Sequence, residues 1–120
     1  MSLRVIEVLD IGRDFTLTPG ARYKKHGDFS GEEFRTKLLA PALRRVINAD
    51  GVLNVVIDTV KRSYLVSFLD EAFGGLIRDE GFSLEQTNQH LNIVSSNKRF
   101  EKYRILAKNY ILRASEEHAK

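Results

Sequence analysis

The chain has 120 residues, 42% hydrophobic and 29% charged, a length and balance that suit one soluble domain around one core. It contains no cysteine, which excludes disulfide frameworks, thiolate nucleophiles and cysteine zinc sites and fits a reducing cytoplasm. A net charge of +3 is too small to mark a nucleic-acid binder without a concentrated patch. No apolar run reaches the roughly 20 residues that span a bilayer, and no basic stretch leads into an apolar one at the N-terminus, so neither membrane insertion nor secretion is expected.

From Leu3 to Leu9 the β-branched, roughly alternating pattern predicts a strand, and Ile11 to Asp14 a turn. Phe15 to Thr18 reads as a second extended piece running into Pro19-Gly20. Proline sets φ there and glycine supplies the positive φ of a type II turn, so the two pieces are expected to form a short antiparallel hairpin. Ser30-Gly31-Glu32-Glu33 has capping-box spacing and opens a helix. Phe34, Leu38, Ala42 and Val46 form one apolar row of that helix, with Leu39, Leu43 and Ile47 beside it. Pro41 removes a backbone donor and crowds the preceding turn, which predicts a kink or two helices meeting near Ala40. Asn48 to Gly51 closes the segment.

Val52 to Asp58 is almost continuously apolar, as a central strand covered on both faces should be. Ser67 then reads as the cap of a helix whose pairs Phe68/Leu69, Ala72/Phe73 and Leu76/Ile77 repeat at spacing four, with Gly81 after its end. Gly74-Gly75 costs about 1 kcal/mol of helix propensity per glycine, which predicts a close approach to that backbone. Ser83 to Gln86 is a third capping pattern opening a short helix, Leu91 to Val94 a last strand, and Ser95 to Asn97 a loop. From Lys98, the residues Phe100, Tyr103, Ala107, Tyr110 and Ile111 recur at helical spacing, giving a long amphipathic C-terminal helix that frays through Ser115 to Lys120. Residues 1 to 120 are thus one α/β domain, with a mixed sheet of four to five strands packed with helices.

The strand Val52 to Asp58, the gap, and Ser63-Tyr64-Leu65-Val66-Ser67-Phe68-Leu69-Asp70 entering a glycine-containing helix resemble the core of STAS domains, the anti-sigma factor antagonist fold. Three blocks are similar more specifically to an uncharacterised bacterial STAS-like group. They are Pro19 to Arg22, Gly27 to Arg35, and Ser67 to Gly74, and together they sit within roughly residues 15 to 80. The resemblance implies a STAS-like layered fold and a non-enzymatic signalling module. It also implies a protein partner of the histidine-kinase-like ATPase type and switching by serine phosphorylation. Aligned on the helix start, Ser67 falls at or next to the phosphoacceptor. Aligned on the shared aspartate, Glu71 and Ala72 stand where the family has two serines, and Glu71 offers permanent negative charge in place of a phosphoserine.

Ser67 also has an ordinary use, because a capping hydroxyl is worth about 1 kcal/mol, so Ser67→Ala is expected to cost that much and Ser67→Asp to be nearly neutral. Asp70 and Glu71 complement the dipole of the first turn; as neighbours about 100° apart they make a poor catalytic pair. With Ser67 and Ser30 they mark the edge where a partner is expected to bind. A second, basic reading rests on two groups. Arg22, Lys24, Lys25 and His26 precede the Ser30 helix start, where Asp28, Glu32 and Glu33 already supply negative charge, and a solvated loop is expected. Lys98, Arg99, Lys102, Arg104, Lys108 and Arg113 stand against the single acid Glu101, and acidic ligands or nucleic acid are the alternative partners. His26, His90 and His118 lack metal-ligand spacing, and neither a P-loop nor G-x-S-x-G nor G-x-G-x-x-G occurs. Neither a metal nor a cofactor is implied, and no catalysis is expected.

Overall fold

Three strands form one sheet in the order β1 (Val5–Asp10), β2 (Val52–Val56), β3 (Leu91–Val94), and both pairings are parallel, in the computed structural model of the chain, which describes residues 3–118. The expected four to five strands and mixed directions are therefore replaced by three parallel ones. The antiparallel hairpin is absent because the chain leaves β1 in a different way. Asp10 caps a single helical turn, α1 (Ile11–Asp14), by accepting from the Arg13 N–H, and that turn buries Ile11 completely. Thr16 Oγ1 then takes the Thr18 N–H and Pro19 has none to give, so Phe15 to Thr18 offers the sheet few ladder donors. Gly20 is not in the left-handed region, so the type II turn is absent as well; its N–H donates to Phe29 O and ties the segment across to the next helix.

Ser30 caps α2 (Gly31–Phe34) through the Glu33 N–H, but the Glu33 carboxylate reaches Lys37 rather than back to Ser30, so only half of the capping box forms. The helix widens into a π turn over Arg35–Leu39 before α3 (Ala40–Asn48), which places Pro41 in the first turn of α3. That position answers the sequence: the proline lacks an N–H where none is needed, and the wide turn relieves its clash with the turn before. Left-handed Asp50 then turns the chain into β2.

β2 is central, as its apolar run predicts, but it is fully covered on one face rather than both. Leu53, Val55 and Ile57 are fully buried on the helix side, whereas Val52, Asn54 and Val56 on the other face are half-buried. Beyond it, α4 (Val66–Leu69), a second π turn (Asp70–Gly74) and α5 (Gly75–Arg78) run continuously and bury Phe68, Leu69, Ala72, Phe73, Leu76 and Ile77, the row read from sequence. Ser83 and Gln86 form a complete capping box on α6 (Leu84–His90). A 3-10 turn at Lys98–Phe100 leads into α7 (Glu101–His118), which packs across α5 and the second π turn. The fraying expected from Ser115 is not seen as far as His118; Ala119 and Lys120 lie outside the described residues.

Candidate functional site

The two π turns face each other, and their junction holds the densest charge in the molecule. Arg35 opens the first turn and is only 4% exposed. Its Nη1 donates to the Glu71 carboxylate at 2.7 Å and to the Glu71 carbonyl at 2.6 Å, and its Nε donates to Glu80 at 3.0 Å. Glu71 is equally buried. Arg22 reaches in from the loop before α2 and donates to Asp70 at 2.9 Å and, more weakly, to Glu71 at 3.4 Å. Arg78 closes on the other Asp70 oxygen at 2.9 Å, and Arg44 holds Glu80 at 2.7 Å. Asp79 approaches Arg35 at 3.7 Å. Four guanidinium groups thus meet four carboxylates.

Burial and pairing oppose one another in this cluster. At Asp70 burial pushes the carboxyl up, but the hydrogen bonds from Arg22 and Arg78 outweigh it and hold the group below the usual carboxylate range. At Arg35 burial works against the cation, and the bonds to Glu71 and Glu80 overcome it. Each acid of the network lies within ion-pair distance of a guanidinium. Gly75 makes room for it. A methyl there would overlap Arg35 Nη1 and lie 2.9 Å from its Cζ, which is the close approach that Gly74-Gly75 predicts.

Asp70 and Glu71 therefore do not sit in a first helical turn, since the helix begins at Val66, and Glu71 is not available as exposed negative charge. Ser30 is fully buried and spent as a cap, so it is no contact residue either. Ser67 differs from expectation in another way. The cap position of α4 is Leu65, no side chain caps the helix, and Ser67 lies inside the first turn, half-buried, with a hydroxyl that makes no hydrogen bond among the described residues. Ser67→Ala is accordingly expected to shift stability by less than about 0.5 kcal/mol, as for an uninvolved surface position, and a urea titration checks it.

What the chain does present beside Ser67 is apolar. Leu65 and Val66 are 54% and 55% exposed. Lys61 N donates to Leu17 O, and Arg62 donates to Thr18 O and Pro19 O, so the loop before α4 is clasped to the segment that follows α1. That segment carries exposed Leu17, and Gly20 N ties it to exposed Phe29. Phe29 contacts Phe15, Phe15 contacts Phe34, and Phe34 contacts Phe68, an aromatic chain that fixes the surface from beneath. Tyr64 adds rigidity by donating to Ile57 O at 2.6 Å, and burial pushes its phenol above the ordinary range.

The basic residues are not one surface. The N–H groups of Gly31, Glu32, Glu33 and Phe34 are taken by Ala21 O, Arg22 O, Ser30 Oγ and Ser30 O, so α2 has none left for an anion. Arg22 belongs to the ion network, while Lys24 and Lys25 form an exposed 3-10 turn beside Glu32, as a solvated loop should. Around α7 the cations diverge. Lys98, Arg99 and Lys102 gather near Ser63, Arg104 and Lys108 line a groove beside α6 and β3, and Arg113 reaches the bowl that holds Arg22.

Arg35, Arg44, Arg78 and Glu80 were not legible as a site from sequence; the one signal was Gly74-Gly75. Among the described residues no three His, Asp or Glu side chains come together as metal ligands, and no helix is long and apolar enough to cross a membrane. Neither the curated proteins nor the solved structures contain a match to the chain. From the loop before α4 to the 3-10 turn before α7, residues 62–99 match the model of a family described as a STAS-like domain of unknown function (DUF4325).

Proposed function

We propose that the chain is a non-enzymatic, STAS-like regulatory module that binds a protein partner through Leu17, Phe29, Leu65 and Val66, with Ser67 as the residue a partner kinase would modify. The observation that carries this reading is the start of α4. Two adjacent aliphatic side chains are more than half exposed there, next to a serine hydroxyl with no partner among the described residues, while the neighbouring carboxylates Asp70 and Glu71 are committed to arginines. Exposed apolar side chains on a rigid support are what a protein interface needs. A phosphate on Ser67 would sit in the first turn of an uncapped helix, where negative charge is favoured, and would change the surface from apolar to dianionic. The STAS-like match includes Ser67 to Gly74, though neither the 19–22 nor the 27–35 block. By the resemblance, the partner is a histidine-kinase-like ATPase.

The test is capture from native lysate with the purified chain, followed by mapping of phosphate on the endogenous protein. An ATPase retained by the wild type and lost by at least about fivefold with Leu65→Asp or Val66→Asp is the expected result, since a buried interface anchor is worth about 1 kcal/mol or more. Equal retention by the variants would remove the surface from consideration, and absence of phosphate on Ser67 would remove the switch while leaving the interface.

A further inference from the structure

Ser63, Lys98, Arg99 and Lys102 line an open cavity of about 360 Å³ with Phe100 and Tyr103, on the side of the sheet where β2 and β3 end. Three cations share this cavity, and no carboxylate comes within ion-pair distance of any of them among the described residues. Arg13, Arg22, Arg35, Arg44, Arg45, Arg78 and Arg104 are neutralised, and the other cations without an ion pair among the described residues, such as Lys24, Lys25, Lys108 and Arg113, line other cavities. The nearby acids are occupied. Asp58 accepts from the Ser96 N–H, the Ser96 hydroxyl and the Asn97 N–H, and Glu101 turns to Arg104.

Those same bonds build the cavity. Asp58 pins the loop after β3, and Asn97 Oδ1 takes the Arg99 N–H, so the turn that carries Lys98 and Arg99 is held in place. Beneath it, Tyr64, Phe100 and Tyr103 pack ring against ring at 5.5 to 6.2 Å and fix the bases of Arg99 and Lys102. The three charged ends are exposed, Lys102 Nζ lying 5.1 Å over the Tyr103 ring, and like charges held on one short turn repel one another until an anion joins them. The carboxyl ends of parallel strands are also where open α/β sheets bind their ligands.

We infer that this cavity binds the phosphate group of a small phosphomonoester, with Lys98, Arg99 and Lys102 supplying the positive charge and the Ser63 hydroxyl a further donor. A single group fits better than a nucleic-acid strand. The next cations of α7 open into other cavities, and Arg113 lies about 17 Å beyond Lys102 along the helix, so no continuous track leads away. The site is independent of the apolar interface, since neither Leu65 nor Val66 lines it.

The experiment is an amide-shift titration of the ¹⁵N-labelled chain with inorganic phosphate and with phenyl phosphate at constant ionic strength, chloride being the control. Saturable shifts confined to Ser63 and residues 98–102 are expected, weakened at least about tenfold by Lys98→Ala/Lys102→Ala, the loss of charge-assisted hydrogen bonds. In low salt without phosphate, Lys98→Ala is expected to raise the thermal midpoint by relieving repulsion. Shifts that do not saturate, that chloride reproduces, or that survive the double substitution overturn the proposal. So does tight oligonucleotide binding whose shifts spread to Arg104, Lys108 and Arg113.

Discussion

Glu71→Ala is expected to destabilise the domain by roughly 3–5 kcal/mol, read as a shift of the urea midpoint at unchanged slope. The size follows from what is left behind. Arg35 stays buried with the carboxylate at Nη1 gone; the backbone carbonyl of residue 71 still takes one Nη1 bond, but Glu80 is then the only carboxylate within hydrogen-bond distance and it meets only the Nε side. Because small domains hold only about 5–15 kcal/mol in total, such a loss brings the fold close to its limit. The diagnostic control removes both charges. Arg35→Met/Glu71→Met should cost far less than Glu71→Ala alone, since a buried pair replaced by apolar groups is often nearly neutral. Were the double variant as damaging as the single one, the cost would lie in packing and the charge argument would fail.

Gly75→Ala should also destabilise, by roughly 1–3 kcal/mol, although alanine in a helix interior ordinarily gains about 1 kcal/mol over glycine. The added methyl would strike the Arg35 guanidinium, which cannot swing away because Glu71 and Glu80 hold it on two sides. At Gly74 the obstacle is the side chains of Arg78 and Asp70, which are part exposed and able to shift. In an Arg35→Met background the Gly75→Ala penalty is expected to shrink, and denaturation of the four proteins in this cycle measures the coupling directly. A stabilising Gly75→Ala in the otherwise unchanged chain would show that the guanidinium does not cross that backbone.

The helices were legible because their signals are local. Serine caps at Ser30 and Ser83, apolar rows at spacing four, and the awkward place of Pro41 each act within one or two turns, and each has its counterpart in the structure. Strand direction is different in kind. Leu3 to Leu9 and Leu91 to Val94 read as strands on pattern alone, but nothing in a pattern says which edge of β2 each takes, and the nearest extended-looking neighbour, Phe15 to Thr18, was the wrong partner for β1. Ser67 was misread because a serine three residues before an aspartate imitates a cap, whereas Leu65 starts the helix with no side-chain help. The ion network escaped because its members are far apart in sequence and only the π turns bring Arg35 opposite Glu71.

The all-parallel sheet has a consequence for how the chain reaches its fold. Val5 must find Val52, and Leu53 must find Leu91, so no two strands are joined by a short connection and each pairing closes a long loop before any ladder bond rewards it. The segments able to organise early are the capped helices, each within its own stretch of chain. The strands cannot align until those helices have docked, and β1 and β3 keep one unpaired edge even then, so Val5, Ile6 and Val8, already half-exposed in the finished structure, lie on a strand open to pairing with other chains while the chain folds. The yield of refolding should therefore fall as protein concentration rises, even where the native state itself is stable.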